Sequence, residues 1–526
     1  MDPRRRSFLR GAAQLIALAA CCDLAGSTAA GANGAAYPFS LGVASGSPLP
    51  NSVILWTRIL ADPLSTAPVA PVAISVRWEV AEDDAFRRIV AMGSASALPM
   101  LAHSVHVDVT GLAPGRWYWY RFMLGDAVSP VGRTRTAPAP DTLPARLTLA
   151  VASCQHWEFG SYGAHRQIAA AAPDLVAFLG DYIYEWGPYH LAHPATVTRS
   201  DESVTLAGYR ARYAQYKSDP DLQAAHQAAP WIVTWDDHEV TNDYTGEHDP
   251  RGAADFVLRR AGAYQAFYEH MPLRLAPPGR VDFAHLRMFQ RYDWGRLARL
   301  HVLDDRQYRA DHACGAGDAG RPGSVLLRDC AQLRDPGRSM LGREQEAWLA
   351  SGLASSGARW NILAQQTLMA QASQTSIVTP DDGRFWSDGW DGYPVARQRL
   401  LEALANSGAG KALVISGDVH TFYAAELRGD FYRPMSPANP VLATEFCATS
   451  VTSSSRPQER TQALVDLNPH IKYGRSDRRG FMLMEVTPHS TTTHFVGLDD
   501  VHNAGSGVAT LARFVVHAGR PGLMMA

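Results

Sequence analysis

The chain has 526 residues, a formal net charge of -2 and charged residues at 19%, so nothing in its charge argues for a polybasic nucleic-acid-binding patch. With aromatics at 9% the composition is that of an ordinary globular protein. Because single cores rarely grow past about 250 to 300 residues, two domains are the expectation.

The first residues carry a targeting signature. Arg4, Arg5 and Arg6 precede Ser7-Phe8-Leu9-Arg10 and the apolar stretch Gly11 to Ala20. This fits a twin-arginine pattern with a mild apolar region, whereas a membrane-spanning helix needs about 20 apolar residues. Residues 1–32 are therefore expected to be a twin-arginine signal peptide. It would hand the chain to the twin-arginine export machinery for a periplasmic or secreted location, with no transmembrane span in the mature chain. Two exits stay open. Leu18-Ala19-Ala20-Cys21 resembles a lipobox, which would make the protein a lipoprotein at Cys21, and Ala30-Gly31-Ala32 resembles a soluble signal-peptidase site, the favoured exit.

Of six cysteines, Cys21 and Cys22 belong to this segment. In an oxidising compartment Cys314 and Cys330, flanking a Gly-rich loop, are expected to pair, leaving Cys154 and Cys447 for other uses.

Residues 37–137 read as short strands and turns, with alternation in VRWEV, VHVDV and WYWYRF. The expectation is an all-β immunoglobulin-like or fibronectin-like sandwich of about 100 residues. A proline-rich linker follows, from Ala137 to Ala145. Over residues 145–520 apolar runs alternate with helix-like segments, the pattern of an α/β domain.

The ends of these apolar runs share one property. LTLAVAS leads into Cys154-Gln155-His156, LVAFLG into Asp181 and Tyr184, and WIVTW into Asp236-Asp237-His238-Glu239; WNILA leads into Gln365-Gln366, and ALVISG into Asp418-Val419-His420. Open α/β sheets bind ligands outside the carboxyl ends of their strands, so these residues are expected to converge on one crevice. Aspartate bridges two cations, and tyrosine binds metal well only as phenolate, normally formed near pKa ~10, so a strongly Lewis-acidic ion is implied.

CQ, GDYIYE, WDDHE and GDVH resemble the motif series of PhoD-type alkaline phosphatases, relatives of the purple acid phosphatases among the metallophosphoesterases. LDDRQYR, WDGYP and NPHIKY support the resemblance, which runs from about Tyr37 to Thr487. It implies a catalytic four-layer αββα domain behind the sandwich. It also implies that Cys154, Asp181, Tyr184 and His420 surround ferric iron, Fe3+. The second metal would share Asp181 and take Asp237 and Asp418. These carboxylates stand where relatives have Asn and His, and the hardened set points to one or two Ca2+ ions. Asp237 is preferred to its neighbour Asp236 because it directly precedes the His-Glu pair. Gln365 and Gln366 are weaker ligand candidates.

His238 is placed to protonate the leaving group beside Asp237, with Glu239 to orient its ring. The expected function is release of inorganic phosphate from small-molecule phosphate mono- or diesters, by in-line attack of a metal-activated hydroxide. The alternative is a phospholipase D-like phosphodiesterase acting on phospholipids.

Overall fold

The buried apolar runs pair as two sheets. In the first, Leu147–Ala152, Leu175–Phe178 and Trp231–Val233 run parallel, with Leu175 opposite Leu149 and Val176 opposite Trp231. All four residues of Leu175–Phe178 are buried, as a strand covered on both faces requires. Antiparallel strands Gly480–Val486, Ser490–Leu498, Val508–His517 and Arg520–Met525 extend this sheet beyond Leu147–Ala152. The second, seven-stranded sheet is parallel through Ala298–Val302, Trp360–Ala364, Ala412–Ser416 and Val441–Cys447.

In the computed structural model the described residues are 37–65, 70–187, 201–274, 282–315, 320–379, 381–408 and 411–526. The expected signal peptide and Cys21 lie outside them. Among the described residues no helix is long and apolar enough to cross a membrane.

Side-chain alternation along the strands sets the layering. Leu149, Val151, Leu175 and Ala177 point into a core shared with Leu300, Ile362, Leu413 and Phe446 of the second sheet. Their neighbours Ala150, Ala152, Val176 and Phe178 point the other way, against Tyr213, Tyr264 and Phe267 of the helices Leu206–Lys217 and Phe256–His270. On the far side, Leu363 and Val414 pack on Leu349 of the helix Gly342–Ala354 and Leu401 of the helix Pro394–Asn406. Each fully buried Leu, Ile or Phe contributes about 1.5–3 kcal/mol.

The N-terminal part is all-β. Val43–Leu49, Ser52–Arg58 and Ser104–Thr110 face a five-stranded sheet built around Ile74–Ala81 and Trp117–Leu124 across a core that includes Val53, Leu55, Val76, Val80 and Tyr120. The proline-rich linker expected after it does not separate two sheets. Gly46 pairs with Trp231, so the sandwich strands continue the first sheet into one of ten strands. A Cβ at Gly46 would lie 2.6 Å from the Trp231 carbonyl oxygen, which only glycine avoids. Ala137 donates its N–H to the Leu49 carbonyl and joins the core between the sheets. Cys314 and Cys330 form a disulfide, and Cys154 and Cys447 are buried thiols.

Candidate metal centre

Four side chains with metal-ligating chemistry sit on backbone that L residues rarely adopt. The φ angles are 60° at Cys154, 56° at Asp181, 62° at Asp418 and 53° at His420. Such left-handed residues are uncommon outside glycine and cluster at functional sites, held by their surroundings. Here the surroundings are specific. Cys154 N–H donates to the Gly180 carbonyl and Gln155 N–H to the Asp181 carbonyl, fastening the first two strand ends together. The Glu239 carboxylate accepts the backbone N–H groups of Asp181 (3.0 Å), Tyr182 (2.6 Å) and Asp236 (2.8 Å), fastening the second to the third. Gly180, at φ 103°, lets these loops close, since a Cβ there would lie 2.4 Å from that of Asp236.

The donors gather in overlapping sets. Ligand atoms of Cys154, Asp181 and His420 lie within 4.8 Å of one another, as do those of Asp181, Asp237 and His238, and those of Asp236, Asp237 and Asp418. Asp181 therefore joins the first set to the second, and Asp237 the second to the third. The Tyr184 hydroxyl completes the first set, donating to Asp181 Oδ2 at 2.8 Å and lying 3.2 Å from His420 Nε2. His420 Nδ1 donates to the Ser454 carbonyl, which turns Nε2 toward the cluster, the orientation of a ligating imidazole. Asp181 Oδ1 is buried without a hydrogen-bond partner among the described residues. An orphaned carboxylate oxygen among a thiol, a phenol and an imidazole fits a transition-metal ion.

Electrostatics follow from burial. Burial, then the charges of Asp181 and Cys154, push the Tyr184 phenol well above its ordinary pKa. Burial and Asp181 do the same to the Cys154 thiol. Both donors are thus neutral until a cation displaces their protons. Burial also works against ionising Asp181, but His238 and His420 outweigh it and hold its pKa below the usual range. Asp418 is pushed up to about 8 by desolvation and by Asp237, Asp388 and Asp181, with Arg306 opposing.

Arg306 is the central cation of the acidic side, and the sequence reading gave it no role. Its fully buried guanidinium pairs with Asp236, with Asp388 at 2.7 Å, with Asp418 at 3.2 Å and with Asp237 at 3.8 Å. Asp388 is in turn held by Arg309 at 2.7 Å and His312 at 2.9 Å. Asp236 and Asp237 both reach Asp418. Asp236 spends one oxygen on Arg306 and leaves Oδ2 without a partner among the described residues.

Two expectations are corrected. Gln365 and Gln366 do not face the cluster as ligands. The Gln366 amide donates to Thr234 Oγ1, the Trp235 carbonyl and the Leu303 carbonyl, and its oxygen accepts from Asp305 N–H. Gln365 is used in the same way, by the Thr367 carbonyl and by Trp390 Nε1 at 2.8 Å. Glu239, expected to orient His238, is occupied by the three N–H groups above. The orienting carboxylate is Glu185, whose Oε2 lies 2.7 Å from His238 Nδ1. Burial would lower the His238 pKa, but Glu185, Asp237 and Asp181 together hold it well above its ordinary value. The ring packs against Tyr184 and Trp186, at centroid distances of 4.1 and 4.4 Å. The remaining expected site residues, Cys154, Asp181, Tyr184, Asp237, His238, Asp418 and His420, come together here.

The chain, a two-sheet β-rich domain behind an all-β N-terminal one, has counterparts among known proteins. Residues 149–495 match the family model for PhoD-like phosphatase, and residues 25–138 match that for PhoD-like phosphatase, N-terminal domain. The chain belongs to the PhoD-like phosphatase family, and with it to the phosphoric ester hydrolases. It is 42% identical to alkaline phosphatase D of Bacillus subtilis (strain 168) over 533 residues, covering 99% of this chain and 88% of that protein. A solved structure of PhoD superposes with a TM-score of 0.86 at 41% identity, covering 94% of this chain and 93% of the other.

Proposed function

We propose that this chain is an exported, metal-dependent alkaline phosphatase and phosphodiesterase that releases inorganic phosphate from phosphate esters. The observation that carries the reading is the overlap of the three donor sets through Asp181 and Asp237, with His238 beside them. Cys154, Asp181, Tyr184 and His420 would hold ferric iron, and Asp181, Asp237 and Asp418 one or two calcium ions, a hard oxygen set. When bound, such a group of cations supplies Lewis acidity toward phosphoryl oxygens and lowers the pKa of water.

The chain's own residues do the rest. Glu185 accepts the Nδ1 proton of His238, which directs Nε2 of that ring toward the site. In the protonated imidazole, Nε2–H is the acid that meets the leaving alkoxide. As the bond from phosphorus to the ester oxygen breaks and water oxygen bonds to phosphorus, the proton on Nε2 passes to the departing oxygen and the alcohol leaves neutral. Arg306 offsets part of the charge of Asp236, Asp237, Asp388 and Asp418 and so lets the carboxylates sit together.

The four-layer αββα description of the catalytic domain is supported by the core shared between the sheets and the helices on their outer faces. Export rests on Arg4 to Arg10 and the apolar stretch after it. Arg5→Lys combined with Arg6→Lys is expected to leave precursor in the cytoplasm, and normal periplasmic or extracellular yield would refute the twin-arginine route. The function itself is tested by phosphate release from glycerol phosphate and from a bis-aryl diester with the iron- and calcium-loaded protein. No release from either would end the reading.

A further inference from the structure

Beside Asp418 a cavity of about 320 Å³ opens among Leu368, Trp386, Trp390, Tyr423 and Arg456. We infer that this cavity receives a planar aromatic substituent of the phosphate ester, an inference that rests on the phosphatase reading of the neighbouring site.

Size and lining argue for it. Small-molecule pockets run from about 300 to 1,000 Å³, apolar over most of their wall with a few polar groups that set orientation. Here the apolar wall is aromatic and aliphatic, and it abuts a proposed ligand of the phosphate-binding metals. Trp386 is 47% exposed, a large indole surface left at the mouth of a cavity. Trp390, by contrast, is buried and anchored through Nε1 to Gln365, so it forms a fixed wall. An exposed indole and an anchored one in the lining of the same cavity offer surfaces on which a flat ring stacks or meets the indole edge.

The polar groups point the same way. Thr367 lines the cavity and is 1% exposed, yet its hydroxyl has no hydrogen-bond partner among the described residues. A buried hydroxyl in that state calls for a partner outside the chain, an ordered water or a ligand atom. Asp391, also on the wall, is neutralised by Arg397 at 2.6 Å. Asp418 is held by Arg306. Arg456 makes no ion pair among the described residues, so the rim is cationic and favours the approach of an anionic ester. A small aliphatic alcohol would leave this wall uncovered, whereas an aryl ring would fill it.

The test measures binding of phenylphosphonate and methylphosphonate to the metal-loaded protein by calorimetry, alongside phosphate release from p-nitrophenyl phosphate and glycerol phosphate. Wild type is expected to bind phenylphosphonate about tenfold more tightly than methylphosphonate. Trp386→Ala removes the stacking surface, and Ala372→Phe, at a residue that also lines the cavity, fills it. Each is expected to bring the ratio of the two dissociation constants toward one. A wild-type protein that releases phosphate but binds both phosphonates alike overturns the inference and leaves the phosphatase reading standing. So does a preference that survives in both variants. A protein that binds neither phosphonate and releases no phosphate overturns the phosphatase reading and the inference with it.

Discussion

Glu185 Oε2 lies 2.7 Å from His238 Nδ1, while its other oxygen accepts the Asn242 backbone N–H at 2.9 Å. The carboxylate is thus fixed at both ends, and the imidazole is fixed through it. This is a positioning residue, since it acts on the ester only through His238.

Glu185→Gln keeps the shape and removes the charge. With glycerol phosphate, a poor leaving group, kcat is expected to fall by about 10²-fold or more, with a smaller loss for p-nitrophenyl phosphate. Because Glu185 raises the His238 pKa, its loss lowers that pKa and moves the alkaline limb of the kcat profile to lower pH. A profile with an unmoved limb, or equal losses for both esters, would return Glu185 to a purely structural role.

Tyr184→Phe keeps the ring against His238 and removes the hydroxyl that meets Asp181 and His420. If iron is bound through the phenolate, the visible band of the loaded protein disappears. Iron affinity is expected to drop by more than the about 10- to 100-fold typical of losing an outer-shell partner. Loading iron in weak buffer should also release one proton fewer than in wild type, because the neutral Tyr184 phenol no longer has one to give. A folded variant that kept its colour would remove Tyr184 from the ligand set.

The carboxylate set around Asp237 and Asp418 predicts reversible loss of activity on treatment with a calcium chelator, with recovery on adding calcium and not zinc. Rescue by zinc alone would disprove the assignment. Arg306→Met leaves Asp236, Asp388 and Asp418 without their shared cation. Stability is expected to fall by about 3–5 kcal/mol in the metal-free protein, as when one partner of a buried pair is removed. Loading with calcium should recover part of this, measured as the rise in Tm relative to wild type treated alike.

Lys217 lies buried, with Nζ 4.2 Å from the Trp56 ring centroid, and burial lowers its pKa from 10.5 to about 7. The folded-state pKa is below the unfolded one, so between pH 7 and 10.5 the unfolded chain holds a proton that the folded one has shed. This group therefore costs stability at neutral pH, and the cost fades as pH rises through that window. Lys217→Met is expected to raise Tm by about 2–5 °C near pH 7, with the gain shrinking toward pH 10. A gain independent of pH would assign the effect to packing alone.

Local order in the sequence was enough to read the elements and the candidate ligating side chains at their ends. The all-apolar run LVAFLG reads as a doubly covered strand, and the alternation in VRWEV and WYWYRF as sandwich strands, because strand geometry places side chains with a period of two and writes burial directly into local order. The side chains at the ends of those strands were legible for the same reason, and the Asp181, Asp237 and His420 motifs come with them. The relations between segments distant in the chain are set by the packed fold. These are the pairing of Gly46 with Trp231, the Arg306 guanidinium among the acids, the choice of Glu185 over Glu239 as partner of His238, and the internal use of Gln365 and Gln366. Glu185 closes the very motif that was read, yet its partner is fixed by how two loops cross. That crossing depends on the left-handed backbone at Cys154, Asp181 and Asp418 and on the clearance at Gly180, a three-dimensional fit with no local period to reveal it.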